Sequence, residues 1–162
     1  MAPPEGDLEL QDLYQEVLLD YYRDASHKGA LEAPDLRAHG INPVCGDELE
    51  LTVGLDGRRL AKVRYSGHGC VISQSSAAVM AEALEGTTIP RARELVAAFK
   101  EMLLAGRSAS SLPAELEAAG ALEGVRKFPL RVKCATLGWN TLMSALAHEG
   151  TAKAAPGEYR EE

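Results

Sequence analysis

The residues of this sequence best suited to chemistry are three cysteines. Cys45 stands in the segment Asn-Pro-Val-Cys-Gly-Asp, Cys70 closes the run Ser-Gly-His-Gly-Cys, and Cys134 follows Arg-Val-Lys. A thiolate can bind a soft metal or attack an electrophile, whereas a buried thiol is more often an inert apolar side chain. Because the cysteines are few and odd in number, they do not indicate a disulfide framework. The three thiols are therefore candidate metal ligands, reactive groups or parts of the core.

Asp47 is a candidate fourth ligand beside these thiols. It lies two residues after Cys45, and residues i and i+2 of an extended chain project to the same side. Three thiolates and one carboxylate would suit a tetrahedral Zn²⁺ ion, and the same thiolates could hold an iron–sulfur cluster. His68, two residues before Cys70, is a candidate fifth ligand or proton shuttle.

Positive charge lies next to the third cysteine. Arg131 and Lys133 come just before Cys134, which falls in the first turn of a predicted helix whose N-terminus carries a partial positive charge. Cationic neighbours lower the pKa of a thiol and favour the nucleophilic thiolate. The pattern is compatible with surface charges at a helix entry as well as with a reactive site.

A predicted β-hairpin brings two of the cysteines together. Apolar and polar residues alternate over 48–55 and again over 61–65, and the turn-forming pair Asp56-Gly57 stands between them,. The two ends of a hairpin are neighbours, so Cys45 and Cys70 can approach each other. For Cys134 to join them, the last helix would have to pack its N-terminus against the same end of the hairpin.

The remaining pattern is mainly helical. Apolar residues at three- and four-residue steps predict a first helix from Leu10, and the stretch 26–43 reads as a connector with a possible edge strand,. Later helices are predicted over 71–85, from Thr87 or Thr88 to about 105, near 113–119, and from Pro129-Leu130 to about 149. Strands grouped before helices predict an α+β fold, with a small antiparallel sheet packed against several helices.

Length and composition are those of one soluble globular domain. The 162 residues are 46% hydrophobic and 25% charged,. We expect a single domain over residues 1–150 and a disordered acidic tail over 151–162, where Pro, Gly and charged residues leave little to bury,.

Charge and hydropathy exclude several classes of partner. The net charge is −7 and no basic stripe is present, which argues against nucleic acid,. No apolar run reaches the ~18 residues of a membrane span. The segment Met1–Asp12 is acidic and lacks the pattern of a signal peptide,. We therefore expect a cytoplasmic protein with no membrane association.

Three separated motifs resemble the U-type iron–sulfur cluster assembly proteins, a family that includes IscU, the N-terminal domain of NifU, and SufU. They are the segment 42–47, the Gly-x-Gly-Cys of 67–70, and the segment 131–137. The resemblance runs through nearly the whole chain except the tail. Lys133 stands where IscU-type scaffolds have His, and the stretch between about 105 and 127 is longer than in IscU. Both features favour the SufU branch.

The resemblance implies a function and a set of site residues. Zn²⁺ would be held by Cys45, Asp47, Cys70 and Cys134, and Cys45 would accept persulfide sulfur from a SufS-type cysteine desulfurase. Arg131 would support the persulfide or the docking of the partner. The protein would then be the sulfur-accepting partner of the desulfurase rather than a stand-alone enzyme, with a downstream cluster scaffold as a further partner.

Three alternatives stay open at this point. The chain could be a scaffold on which a [2Fe–2S] cluster is assembled and transferred. It could also be a metal-free enzyme that uses Cys70 with His68, in which case Cys45 would be dispensable. Finally, it could be a structural zinc domain, which would unfold when Asp47 is replaced.

Overall fold

The computed structural model describes residues 15–147 and 157–160 of the chain. Helix α1 is described over 15–23, and its predicted start at Leu10 lies outside the described residues. The other elements, in chain order, are β1 (Leu36–Asn42), β2 (Asp47–Asp56), β3 (Arg59–His68), α2 (Val71–Leu84), α3 (Ile89–Leu104), α4 (Pro129–Ala147) and β4 (Gly157–Arg160). The predicted α+β fold is confirmed. Across the described residues, no helix combines the length and apolar character that a bilayer crossing would need.

The four strands form one sheet in the order β3-β2-β1-β4. The predicted hairpin is present: β2 and β3 are antiparallel, Asp56 pairs with Arg59, and Gly57 adopts the positive φ of 61° that the tight turn needs,. The strand expected within the connector is β1, which pairs antiparallel with β2 and places Asn42 opposite Asp47. This register joins the two segments that carry the first cysteine motif.

The sheet is mixed, which corrects the prediction of a purely antiparallel sheet. Strand β4 pairs parallel with β1, with Tyr159 opposite Gly40. It lies within the stretch 151–162, which the sequence predicted to be a disordered tail. A four-residue strand that begins with glycine and follows a proline in the sequence carries too little periodic signal to be recognised,. Its partly buried Tyr159 packs on the core and stabilises the pairing.

Helices α2 and α4 pack on one face of the sheet, α4 against β1 and β2 and α2 against β3. Close approach of α4 to β1 depends on Gly40, because a side chain there would collide with the Thr141 hydroxyl. The helix begins at Pro129, so Cys134 lies in its second turn rather than the first. The predicted end near residue 149 lies outside the described residues.

A hydrogen-bonded serine joins α2 to α4 inside the core. The Ser76 hydroxyl donates to the Ala135 carbonyl at 2.5 Å and accepts from the Trp139 indole N–H at 2.9 Å. The indole is fully buried and stacks on Phe99 with ring centroids 3.9 Å apart. Since α2 starts after Cys70 and α4 carries Cys134, this contact fixes the relative position of two site-bearing helices.

Helix α3 and the segment after it complete the core. Thr88 caps α3, its hydroxyl accepting from the Arg91 backbone N–H at 3.3 Å, and Pro90 occupies the first turn as predicted,. The short helix predicted near 113–119 falls in a series of 3₁₀ turns that continues to residue 127. These turns are Ala109–Ser111, Ala114–Leu116 and Ala118–Lys127. Leu116 and Leu122 from this segment are fully buried.

Glu85, just after α2, ties three elements together. Its carboxylate accepts from the Val63 backbone N–H at 3.0 Å and from the Arg64 guanidinium at 2.6 Å, and it lies 3.1 Å from His27 Nε2. Burial opposes ionisation of Glu85, but these donors outweigh it and hold the pKa of the carboxyl below its usual range,. The contact anchors the connector at residue 27 and the edge strand β3 to the end of α2.

Candidate metal centre

The turn between β1 and β2 presents Cys45 to solvent and buries Asp47. Gly46 between them adopts a φ of 72°, and its N–H donates to the Asn42 carbonyl at 2.9 Å, which closes the turn. Cys45 is exposed, whereas Asp47, as the first residue of β2, has no solvent-accessible surface. Of the two side chains predicted to lie on one side of the chain, Cys45 therefore offers an accessible thiol and Asp47 a buried carboxylate.

Helix α4 brings the third cysteine to this turn. The buried Cys134 sulfur lies 3.2 Å from the Cys45 sulfur. One donor atom each from Cys45, Asp47 and Cys134 lies within 4.8 Å of the other two. The sequence could not establish how α4 packs. In the structure, α4 places Cys134 beside Cys45 and Asp47, which lie far from it in the sequence.

The Asp47 carboxylate also holds the far end of the hairpin. One oxygen accepts from the Cys70 backbone N–H at 2.9 Å, and the other accepts from the Asn42 amide at 3.3 Å. Gly69 has no side chain, and a Cβ there would collide with the Asp47 carboxylate and the Ser73 hydroxyl. Close approach of the loop before α2 to the buried carboxylate therefore requires glycine at this position.

Cys70 borders this group without belonging to it. It is half-buried at the N-terminus of α2, and its sulfur is not among the three donors that lie within 4.8 Å of one another. The Arg131 guanidinium lies beside the Cys70 and Cys134 thiols, and electrostatic interaction with them, Cys70 first, raises the pKa of Arg131. Arg131 thus links the fourth predicted ligand to the other three.

The pocket disfavours a thiolate at Cys134 when no cation is present. Burial is the main cause that raises the pKa of the Cys134 thiol, followed by its hydrogen bonds with Cys45 and Asp47 and by the nearby charge of Cys70,. A bound cation would reverse this balance, since a metal ion deprotonates a coordinating thiol. The electrostatics of the cluster are those of a site that needs positive charge.

A search for similar proteins identifies the family. The NifU-like N-terminal domain matches residues 13–148. The chain belongs to this family. The resemblance carried by the three motifs is confirmed, and the cluster at Cys45 is the place where those motifs of a NifU-like domain converge.

Relatives of this NifU-like chain share most of its length. It is 37% identical over 140 residues to the zinc-dependent sulfurtransferase SufU of Bacillus subtilis. The aligned region covers 86% of this chain and 93% of the relative. It is 34% identical over 145 residues to the iron–sulfur cluster assembly scaffold protein IscU of Streptococcus pyogenes, covering 90% and 89%. A crystal structure of a candidate SUF-system assembly scaffold from Fervidobacterium islandicum superposes with a TM-score of 0.74 at 34% identity, covering 84% and 98%.

The donor set of this NifU-like domain fits a zinc ion. Two sulfurs and a buried carboxylate oxygen are ligands that Zn²⁺ accepts, and the Cys70 backbone N–H donates to the same carboxylate,. Zn–S bonds of about 2.3 Å in a tetrahedral site separate two sulfurs by about 3.8 Å. The Cys45 and Cys134 sulfurs, 3.2 Å apart, would therefore have to separate slightly.

His68 turns away from the cluster toward the solvent face of the sheet. It is largely exposed, and its Nε2 lies 3.4 Å from the Glu48 carboxylate, which accepts a 2.7 Å hydrogen bond from His39. The hydrogen bond from His39 is the main cause that holds the pKa of Glu48 below its usual range. This placement does not support His68 as a fifth ligand of the cluster.

Two features of the site escaped the sequence analysis. Asn42 is fully buried and donates to Asp47, although its place in the first motif was a signal that could have been used. Exposed large apolar side chains adjoin the site residues along the chain, with Val44 57%, Phe128 61% and Leu130 61% exposed. Exposed apolar side chains beside a reactive thiol are suited to protein docking.

Proposed function

We propose that this NifU-like chain accepts sulfur from a SufS-type cysteine desulfurase for iron–sulfur cluster assembly, with Cys45 as the acceptor. The observation that carries the proposal is the exposed Cys45 sulfur, 3.2 Å from the buried Cys134 sulfur and within reach of the Asp47 carboxylate. The similarity to a relative named as a zinc-dependent sulfurtransferase supports the same activity.

Cys45, Asp47 and Cys134 would hold the zinc ion, with Cys70 as the fourth ligand. Zinc, when bound, supplies positive charge that keeps its thiol ligands deprotonated at neutral pH. Asp47 would remain fixed during turnover, because it is fully buried and hydrogen-bonded on both oxygens. Cys45, in contrast, lies on an exposed turn that leaves it accessible to a partner.

The transfer itself is a thiol exchange that balances without a further oxidant or reductant. The Cys45 thiolate attacks the outer sulfur of a persulfide on the desulfurase, so a new S–S bond forms at Cys45 and the S–S bond of the donor breaks. The electron pair of the broken bond leaves with the donor cysteine as its thiolate. Exposure of Cys45 is the structural requirement for this step, and Cys134 cannot meet it because it is buried.

Arg131 would support the incoming persulfide. It is exposed and interacts electrostatically with the thiols of Cys70 and Cys134, so its charge lies at the boundary between the cluster and solvent. A persulfide anion that approaches Cys45 would meet this guanidinium, and opposite charge favours its approach. The exposed apolar side chains of Val44, Phe128 and Leu130 would add contact area with the desulfurase,.

The proposal is tested on the full-length protein with a SufS-type desulfurase and L-cysteine. Protein purified without oxygen is first analysed for zinc, iron and acid-labile sulfide. We expect near-stoichiometric zinc, stimulated alanine release, and a peptide containing Cys45 whose mass increases by one sulfur atom. Cys45→Ser should abolish both the stimulation and the mass increase.

His68→Ala is the control, and it should leave transfer unchanged because His68 faces Glu48. Retained transfer in Cys45→Ser combined with loss in His68→Ala would refute the proposal and favour a metal-free Cys70 and His68 site.

A scaffold function is the second candidate, since a relative 34% identical to this chain is named as an iron–sulfur cluster assembly scaffold. The same thiols that suit zinc can bind a [2Fe–2S] cluster. Iron and sulfide in equal amounts, with little zinc, would favour the scaffold over the sulfur relay. Absence of both zinc and iron would contradict both the sulfur relay and the scaffold function.

A further inference from the structure

Asn42 is a fully buried polar residue at the end of β1, directly beside the metal centre. Its side-chain NH₂ donates to the Asp47 carboxylate at 3.3 Å and to the Cys134 sulfur at 3.6 Å. The side-chain NH₂ thus contacts two different members of the donor group, Asp47 at the start of β2 and Cys134 on α4.

The other end of the same amide has no hydrogen-bond partner. The buried Asn42 Oδ1 atom accepts no hydrogen bond from any part of the chain that the structure describes. A buried acceptor without a donor costs stability, and an apolar side chain would avoid this cost. Packing alone therefore does not account for an asparagine at this buried position. The two hydrogen bonds of its NH₂ group do account for it.

We propose that Asn42 is a positioning residue of the metal centre, holding Asp47 and Cys134 in the arrangement that binds zinc. The inference deepens the proposed function and rests on its zinc site. The two hydrogen bonds from one amide fix the positions of the Asp47 carboxylate and the Cys134 sulfur relative to each other. Groups that hydrogen-bond to metal ligands orient them and strengthen binding.

The same geometry separates the retained ligands from the exchangeable one. Both hydrogens of the amide are engaged by Asp47 and Cys134, so Cys45 receives neither. Cys45 is also the exposed member of the group. Asn42 would therefore keep two ligands fixed while Cys45 leaves to accept sulfur.

Replacing the side chain should leave the turn intact, because the turn uses the Asn42 backbone. The Asn42 carbonyl accepts from the Gly46 N–H at 2.9 Å, a bond that any residue at this position can make. The effect of Asn42→Ala on the metal centre can thus be separated from an effect on the fold.

The test measures zinc affinity of the full-length protein by competition with a chromophoric chelator, for wild type and Asn42→Ala. Loss of a group that hydrogen-bonds to metal ligands typically weakens metal binding about 10–100-fold, and we expect a loss in this range. Co²⁺-loaded protein gives a second readout, since its thiolate-to-metal absorption bands should shift in Asn42→Ala.

Asn140→Ala is the matched control. Asn140 is a buried residue of α4 whose amide donates to the Tyr159 hydroxyl at 3.0 Å rather than to a member of the donor group. We expect this control to keep wild-type zinc affinity and an unchanged Co²⁺ spectrum. Equal losses in the two variants would show that general destabilisation is responsible, which would overturn the inference.

A measurement on wild type keeps the inference testable if Asn42→Ala does not fold. With a spin-active cadmium isotope bound, the Asn42 side-chain amide protons should show coupling to the metal through the Cys134 sulfur. Its absence, or wild-type zinc affinity and spectrum in Asn42→Ala, would overturn the inference. If wild type binds zinc but Cys45 accepts no sulfur, the proposed function is wrong. The zinc affinities of wild type and Asn42→Ala still test the positioning role of Asn42 in that case.

Discussion

Replacing Ser76 by Ala should remove the hydrogen bonds between α2 and α4 and lower the free energy of unfolding by a predictable amount. The Ser76 hydroxyl is the acceptor for the fully buried Trp139 indole N–H and the donor to the Ala135 carbonyl. Truncation leaves a buried N–H without a partner, which costs about 1–3 kcal/mol. For a protein of this size each kcal/mol lowers Tm by about 2–4 °C, so we expect a decrease of about 2–12 °C.

The measurement is urea and thermal unfolding of metal-free protein, followed by circular dichroism and by the fluorescence of Trp139, the sole tryptophan of the chain. Metal is removed because a ligand that binds the native state adds its own stability. The fluorescence of the folded variant should also change, because the indole has lost its hydrogen-bond acceptor.

Ser75→Ala is a closely matched control for this prediction. Ser75 is equally buried and lies one residue earlier in α2, but its hydroxyl donates to the carbonyls of Val71 and Ile72 in its own helix. Truncation there leaves no donor without a partner, so we expect a change below about 0.5 kcal/mol. Equal changes in the free energy of unfolding for the two variants would refute the reasoning about the interhelical bond.

Two further variants test the loop before α2 and the residue that follows this helix. Gly69→Ala should lower zinc affinity at least several-fold, measured by chelator competition, because its Cβ would displace the Asp47 carboxylate. Gly124→Ala, where a Cβ meets open space, is its control. Glu85→Gln should reduce the free energy of unfolding at neutral pH, because the depressed pKa of Glu85 means that folding favours its ionised form,.

The pH dependence of the last variant gives a separate check on its sign. The contribution of Glu85 is fully present above its unfolded pKa of about 4.3 and is lost as pH falls through its lower folded pKa. Urea unfolding of metal-free protein should therefore show a larger difference between wild type and Glu85→Gln near pH 7 than near pH 3. A difference that is constant with pH would contradict the assigned role of the carboxylate.

Local patterns in the sequence determined the secondary structure and the family. Alternation over 48–55 and 61–65 with Asp56-Gly57 between them predicted the β2–β3 hairpin, because side chains of a strand alternate between its faces. Thr88 with Pro90 similarly marked the start of α3. These signals are read from neighbouring residues, and the three cysteine motifs required no structure to indicate a NifU-like domain.

The tertiary structure decided which of these residues meet. The approach of Cys134 to Cys45 depends on α4 packing against β1, which requires the absence of a side chain at Gly40. Such packing sums many weak contacts between distant residues and leaves no periodic trace near either cysteine. The set of four zinc ligands stays a prediction, since three of them lie together and Cys70 borders them.

The role of Asn42 shows the same division. The sequence places it three residues before Cys45, where it reads as a polar residue at the end of a strand. The fold buries it between β2 and α4, and there its amide reaches both Asp47 and Cys134. The sequence by itself thus determined the elements and the chemistry available to them. Long-range packing decided which groups share a low-dielectric pocket, where a hydrogen bond or a charge has its largest effect.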